Sequence, residues 1–105
     1  METDLIIVSD YCRESHIEQS FIVLLWKEGL IDIKQEQGRD YLFASQLRDL
    51  ERYSRMYYDL SINIEGIDAI RNLLDRMEIM RSEINRLRGR LKRFETGENY
   101  LEYYE

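Results

Sequence analysis

Apolar positions in the first part of the chain come in short runs that are separated by polar turns. The β-branched run "LIIV" at 5–8 predicts a short first strand. Ser9 is a suitable N-cap for a first helix, "DYCRES". A second helix is predicted over about 18–28, and Gly29 ends it because glycine commonly occupies the position after a helix C-terminus.

The next segment, "LIDIKQEQGRDYLF", has the pattern of a β-hairpin. Residues 30–33 form one arm and residues 41–43 the other, with Gln37–Gly38 at the turn. Ser45 then predicts the start of a third helix that continues to about Leu60, because apolar side chains recur there at helical spacing.

From Ile64 onward the apolar period changes to a sustained heptad, which is the pattern of a coiled coil. The a and d positions are Ile70, Leu73, Met77, Met80, Ile84, Leu87, Leu91 and Phe94. A helix of about 30 residues is about 45 Å long, so it cannot pack along its whole length on a small head. Part of this stripe therefore needs another chain, and its residues are predicted to hold a homodimer together.

Charge is distributed unevenly around a net charge of −6. Residues 1–44 hold four cations and nine acids, whereas residues 76–93 hold seven cations and two acids. The acidic balance makes nucleic acid an unlikely partner, because nucleic-acid binders usually need a basic field. The basic segment has three interpretations: a solvated flank of the coiled coil, a dock for an acidic partner or the chain's own acidic tail, or a nucleic-acid contact.

Composition predicts a cytoplasmic protein that does not enter the membrane. No apolar run approaches the roughly 20 residues that span a bilayer. The start, "METDLIIV", is acidic and its apolar run is too short for a signal peptide. The single cysteine, Cys12, excludes an internal disulfide and suits a reducing compartment.

The residues that carry chemistry do not form a catalytic pattern. The chain has no glycine-rich phosphate loop, no nucleophile beside a base and no cluster at metal-ligand spacing. We therefore predict no enzymatic activity, no cofactor and no metal. His16 is interpreted as a turn residue rather than a metal ligand. Cys12 is interpreted as a small core side chain, with a redox-sensitive thiol as the alternative.

The second helix carries more apolar side chains than one face can hold. An amphipathic helix leaves about half its circumference to solvent, yet "FIVLLW" at 21–26 occupies every angle. Either the hairpin or a dimer partner covers the surplus, or the helix forms a protein-binding patch anchored by Trp26. The candidate contact residues are Glu18, Phe21, Ile22, Trp26 and Glu28.

The order of these elements resembles MerR-type winged-helix proteins, and in particular the chaperone modulators of the CbpM type. The resemblance covers about 8–94 and is carried by "SDYCRESHI", "KEGLIDI", "DYLFASQLRDLERYSRMYYDLSINIEGIDAIRNLLDRME" and "INRLRGRLKRF". It implies a mainly α fold: a MerR-like winged helix-turn-helix head with a small β-hairpin wing, followed by a long C-terminal coiled-coil helix. Residues 1–62 are expected to form the head, 63–95 the dimerising helix and 96–105 an acidic aromatic tail.

The same resemblance implies a cytoplasmic, non-enzymatic protein that binds the J-domain of a DnaJ-like co-chaperone. Binding would inhibit the action of the co-chaperone with an Hsp70-type chaperone. Two alternatives stay open at this point. One is a MerR-type DNA-binding transcription regulator, and the other is an adaptor that acts through its coiled coil alone.

The DNA-binding relatives differ from this chain at their contact positions. Their second helix carries an Arg-Tyr-Tyr group followed by an acid, and the matching residues here are Val23, Leu24 and Leu25, followed by Trp26. Tyr41 stands in place of their wing arginine. The phosphate-contacting groups are therefore missing from the scaffold, which favours the chaperone modulator over the transcription regulator.

Overall fold

The computed structural model describes residues 4–95, which divide into two compact units at Ala69–Ile70. The elements are β1 (Leu5–Ile7), α1 (Val8–Ser15), α2 (Gln19–Lys27), β2 (Ile33–Glu36), β3 (Arg39–Phe43), α3 (Leu47–Ser54) and α4 (Ile64–Glu95). A 3-10 turn, Ala44–Gln46, precedes α3, and a π-helical segment, Arg55–Asp59, follows it. This order confirms the predicted fold class, whereas the expected tail at 96–105 lies outside the described residues.

The three strands form one antiparallel sheet in the order β1-β3-β2. The wing hairpin pairs Glu36 with Arg39, and its two-residue turn has positive φ at both Gln37 and Gly38. Such a turn matches the right-handed twist of the strands, so the predicted position of the turn is confirmed. Leu30 and Ile31 were expected in the first arm, but they lie before β2 and are buried.

The end of α2 confirms the predicted stop at Gly29. Gly29 has a φ of 78°, and its N–H donates to the carbonyl oxygen of Trp26 at 3.0 Å. The N–H of Leu30 donates to the carbonyl oxygen of Leu25 at 2.9 Å. These two bonds form a Schellman motif, in which the left-handed residue is usually glycine.

The two predicted serine caps are wrong. Ser9 lies inside α1, because β1 runs directly into the helix and Ile7 occupies the N-cap position. Ser45 lies inside the 3-10 turn. Gln46, which precedes α3, instead joins this turn to the end of the α2–β2 loop: its Oε1 accepts from the Asp32 N–H at 2.6 Å, and its Nε2 donates to the Asp32 carbonyl oxygen at 2.9 Å.

The third helix also differs from its prediction, because it stops being α-helical at Ser54 and continues as the π-helical segment. The N–H of Leu60 donates to the carbonyl oxygen of Arg55 at 3.1 Å, five residues earlier. A π-turn rotates the side chains that follow relative to an α-helical path. This rotation places Tyr57 and Tyr58 against Phe21 of α2.

The core of the head is formed by twelve buried residues between Val8 and Ile67. It consists of Val8, Cys12, Phe21, Ile22, Leu25, Leu30, Ile31, Leu42, Leu50, Tyr53, Ile64 and Ile67. No polar or charged side chain is buried among the described residues, so apolar burial is the main stabilising term. The prediction that Cys12 is a core side chain is confirmed, and its burial raises the pKa of the thiol.

The first turn of α4 has a side-chain cap. The Gly66 N–H donates to Oδ1 of Asn63 at 2.7 Å, which satisfies one of the free donors of the first helical turn. A Cβ atom at Gly66 would lie 2.8 Å from Cγ2 of Ile62, so any other residue at this position would displace the Ile62 side chain. Ile64 and Ile67 are buried in the core.

Beyond Ala69, α4 is largely exposed. The stripe residues from Leu73 to Leu91 keep between 47% and 57% of their surface exposed, and Ile70 and Phe94 are half-buried. Glu83 and Arg86 form an ion pair one turn apart, and this contact lowers the pKa of Glu83. None of the helices described between residues 4 and 95 is long and apolar enough to cross a membrane.

Candidate protein-binding site

The structure divides α2 into a buried face and two exposed edges. Phe21, Ile22 and Leu25 form the buried face and are 1%, 0% and 0% exposed. Leu24 and Trp26 remain 43% and 37% exposed. They are about 160° apart around a helix of about 3.6 residues per turn, so they flank the buried face on opposite sides and do not form one patch.

Two of the candidate contact residues are therefore corrected. Phe21 and Ile22 were expected among the exposed apolar residues, but they belong to the core because they lie on the same helix face as Leu25. The other candidates, Glu18, Trp26 and Glu28, are exposed. The head itself therefore covers much of the apolar surplus of α2, and Trp26 and Leu24 are the large apolar side chains of this helix that it leaves uncovered.

A groove beside the N-terminal end of α2 was not anticipated from the sequence. It lies between the α1–α2 turn and the segment that runs from α3 into the π-helix, and it has a volume of about 550 Å³. Its lining residues are Tyr11, Ser15, His16, Ile17, Glu51, Ser54, Arg55, Tyr58 and Asp59. These side chains are far apart in the sequence, and only the tertiary fold of the head brings them together.

Hydrogen bonds and an ion pair order the walls of the groove. The Glu18 N–H donates to the hydroxyl oxygen of Tyr58 at 3.3 Å. The Arg55 guanidinium lies 3.0 Å from a carboxylate oxygen of Glu51, and both side chains are about two-thirds exposed, at 68% and 65%. Partial burial raises the pKa of the Tyr11 hydroxyl, and the nearby negative charge of Glu51 adds to this shift.

His16 has a role in the backbone of this region. It is the residue after α1, with a φ of 61°, and its N–H donates to the carbonyl oxygen of Cys12. This geometry confirms the interpretation of His16 as a turn residue. Among residues 4–95, no group of three or more His, Cys, Asp or Glu side chains could hold a metal ion.

A known protein family matches most of this chain. Residues 6–89 match the family described as "MerR HTH family regulatory protein". The chain belongs to the MerR family. The match covers β1 through most of α4, so both the winged head and the long helix are part of the family architecture.

Within the MerR family, the chain is similar to proteins named "Chaperone modulatory protein CbpM". The relatives from Pseudomonas putida strains GB-1 and W619 are each 28% identical over 98 residues, which cover 90% of this chain and 97% of the relative. The relative from Pseudomonas entomophila strain L48 is 24% identical over the same length. These matches confirm the CbpM-type resemblance. No solved structure matches the chain.

The positions at which DNA-binding MerR proteins carry their contact residues have different surroundings here. On α2, Val23 is half-buried, Leu24 is exposed and Leu25 is buried. All three side chains are apolar, so none of them offers a charged group to a phosphate. On the wing, Arg39 lines a second groove whose other lining residues include Asp10 and Asp40. The negative charge of these two residues opposes the approach of a phosphate to this groove.

The two units of this MerR-family chain carry opposite charge. Residues 4–69 hold seven cations and thirteen acids, whereas residues 70–95 hold eight cations and four acids. A partner that docks on the head therefore meets a negative field. A partner that docks on the exposed stripe of α4 meets a positive one.

Proposed function

We propose that this protein is a cytoplasmic, non-enzymatic chaperone modulator that binds the J-domain of a DnaJ-like co-chaperone. In the bound state it blocks access of an Hsp70-type chaperone to the J-domain, and the co-chaperone is inhibited by steric competition. The similarity to proteins named chaperone modulatory proteins supports the general role.

The observation that carries the proposal is the surface of α2. Where the DNA-binding relatives carry a tyrosine and an acid, this helix presents exposed Leu24 and Trp26, and the exposed residues Glu18 and Glu28 stand at the two ends of the helix. Tryptophan is over-represented among residues that dominate interface energetics. The resemblance to CbpM-type proteins implies a partner with a basic face, and an acidic head accelerates encounter with such a face.

Two copies of the chain are proposed to associate through α4. The stripe residues, from Ile70 to Phe94 at heptad spacing, have large apolar side chains, and from Leu73 to Leu91 these are about half exposed. Contiguous apolar surface of this kind is rare on monomeric proteins. Burying it against the same stripe of a second copy removes it from water, at a gain of roughly 25 cal/mol per Å² of apolar surface.

A binding experiment with the purified chain tests the proposed function. Isothermal titration calorimetry of a J-domain into the chain, at moderate salt, is expected to show a complex of micromolar or tighter affinity. The same chain is expected to reduce stimulation of Hsp70 ATPase activity by the co-chaperone. If no complex forms at tens of micromolar of each component, the proposal is wrong.

DNA binding is the second candidate, and one observation favours it. The part of α4 beyond Ala69 has twice as many cations as acids, eight against four, and duplex DNA is attracted to such a segment. Titration of labelled duplexes at physiological salt tests this. Nanomolar binding that depends on DNA sequence supports the regulator, whereas weak binding that is lost with added salt leaves only general electrostatic attraction.

A further inference from the structure

The groove between α1 and the α3–π segment, defined above, combines aromatic walls with carboxylates. Tyr11 on α1 and Tyr58 on the π-helical segment are two of its lining residues. Tyr58 is 42% exposed, although it also contacts Phe21 and Tyr57 edge-on at 5.3 and 5.1 Å between ring centroids. Part of an aromatic ring is therefore open to a molecule that enters the groove.

The groove already holds a guanidinium that belongs to the chain itself. Arg55 pairs with Glu51 at 3.0 Å, but both side chains are largely exposed, so the pair is weak and readily exchanged. The second carboxylate, Asp59, makes no ion pair with any residue between 4 and 95. A cation from outside would thus find one acceptor without a partner and another whose partner is easily displaced.

Two apolar residues accompany these carboxylates. Ile17 lines the groove and is half-buried, and Leu60, which directly follows the lining residue Asp59 in the sequence, is 65% exposed. A group that fits both features carries a positive charge next to an apolar side chain. This arrangement is found on basic amphipathic helices, whose long cationic side chains also pack their methylene groups on aromatic rings.

We infer that this groove is a docking site for an arginine or lysine side chain on a basic amphipathic helix of the partner. The cation lies against the exposed face of Tyr58, with Glu51 and Asp59 as acceptors, and the neighbouring apolar side chain contacts Leu60. The inference rests on the proposed function, in which that helix belongs to the basic face of the J-domain. It adds a contact that lies outside the predicted residues of α2.

The groove adjoins the predicted surface through Glu18. This residue contributes its N–H to the Tyr58 hydroxyl, and its exposed carboxylate stands at the start of α2. One partner helix can therefore meet the groove and the N-terminal end of α2 at the same time. The charge of Glu18 extends the negative field in the same direction.

Matched charge variants test this inference. The wing contains a comparable exposed ion pair, Lys34 with Glu36 at 3.7 Å, so substitutions there reproduce the same changes in net charge far from the groove along the chain. Glu51→Gln combined with Asp59→Asn is expected to weaken J-domain binding about tenfold or more, as for truncation of hydrogen-bonded charge pairs at interfaces. The control, Glu36→Gln combined with Asp40→Asn, is expected to change the affinity less than about twofold, as for exposed rim charges.

Removal of the chain's own cation from the groove, Arg55, is expected to change the affinity for the J-domain in the opposite direction. Arg55→Gln removes the guanidinium that competes for Glu51, so it is expected to tighten J-domain binding several-fold. Lys34→Gln, which removes one cation from the wing pair, is expected to leave the affinity almost unchanged. Equal effects of the groove and wing variants would overturn the inference, because the result would then be a general effect of net charge. Circular dichroism and thermal unfolding check that each variant is folded.

A small-molecule probe tests the groove without a J-domain. Millimolar Nα-acetylarginine amide is expected to shift the NMR signals of the Tyr58 ring, and the neutral citrulline analogue is not. The shift is expected to disappear in the Glu51→Gln, Asp59→Asn variant. If both probes act equally, the inference fails. If the arginine probe acts but the J-domain does not bind the native chain, the proposed function fails and the cation site stands.

Discussion

The two units of the chain contain similar apolar side chains, but the first unit buries many of them and the second leaves most of them exposed. In residues 4–69, twelve residues close a core around α2, and the surface carries an excess of acids. In residues 70–95, the apolar stripe stays about half exposed and is surrounded by an excess of cations. A head made of several short elements can bury its apolar faces against one another, whereas a single helix needs a second chain to do so.

The same contrast between buried and exposed apolar side chains occurs between single residues of α2. Leu24 and Leu25 are neighbours in sequence and chemically identical, yet one is 43% exposed and the other is fully buried. The difference depends only on the helix face. Substitutions that compare such matched positions therefore show whether burial or residue type determines the contribution of an apolar side chain.

The largest expected effect comes from Leu25. Leu25→Ala is expected to lower the free energy of unfolding by about 2–5 kcal/mol, because it leaves a cavity in a packed core. Leu24→Ala removes the same atoms from a half-exposed position, and its expected cost is about 1 kcal/mol or less. Urea unfolding followed by circular dichroism measures both. Equal destabilisation by the two variants would contradict the assignment of the buried face.

The next effect concerns the exposed stripe of α4. Ile84→Asp combined with Leu87→Asp is expected to weaken association of two copies by about 3 kcal/mol or more, because two buried apolar contacts per chain are replaced by charges. Ile79 is exposed but lies outside the a and d positions, so Ile79→Asp is the control. Sedimentation equilibrium measures the dimer. A dimer that tolerates the double variant must use another surface.

Substitution of Trp26 tests whether the exposed edge of α2 binds the partner. Trp26→Ala is expected to weaken J-domain binding by about 2 kcal/mol, the usual loss for an interface hot spot. Loss of J-domain affinity with an unchanged unfolding midpoint would identify Trp26 as a contact residue. Unchanged affinity together with a lower midpoint would instead mean that Trp26 only packs against the head.

The side chain of Asn63 caps the first turn of α4 within the first unit. Asn63→Ala is expected to cost about 1 kcal/mol of stability, whereas Asn63→Asp keeps an acceptor for the Gly66 N–H and is expected to be nearly neutral. Thermal unfolding of the two variants gives the difference. A neutral alanine variant would mean that solvent satisfies the Gly66 N–H equally well.

The smallest effect is the pH dependence that arises from Cys12. Burial raises the pKa of this thiol above its ordinary value, so the folded protein holds the proton more tightly than the unfolded chain. The corresponding stability is complete below the unfolded pKa of about 8.5 and is lost as pH rises through the folded pKa. Cys12→Ala is expected to flatten the decline in unfolding free energy above about pH 8.5. An unchanged decline would assign the effect to other groups.

Local patterns were reliable where one residue determines the backbone. Gly29 after α2 and Gln37–Gly38 in the wing were predicted because few residues adopt positive φ. The serine caps failed because the helical backbone begins before each serine: α1 starts at Val8, and Ser45 lies inside the 3-10 turn, so neither residue has the extended backbone of an N-cap. The pairing of β1 with β3 joins residues far apart in sequence, and no local pattern specifies it.

Some features of the candidate site were likewise predicted from the sequence, and others were not. Exposure of Trp26, Glu18 and Glu28 was expected from the crowded composition of α2, but which apolar residues turn inward was not. Phe21 and Ile22 are buried because α3 and its π-helical continuation pack on that particular face. The groove could not be predicted because its walls come from α1 and from residues about 40 positions later.

By itself, the sequence determined the order of the elements, the helix stop, the wing turn and the heptad stripe, since each follows from the spacing or backbone freedom of neighbouring residues. Only the tertiary structure decided which side of α2 is buried, where β1 pairs and how Tyr11, Glu51, Tyr58 and Asp59 come to line one groove. Those outcomes depend on contacts between distant segments. Their free energy comes from close packing of whole faces rather than from any short run of residues.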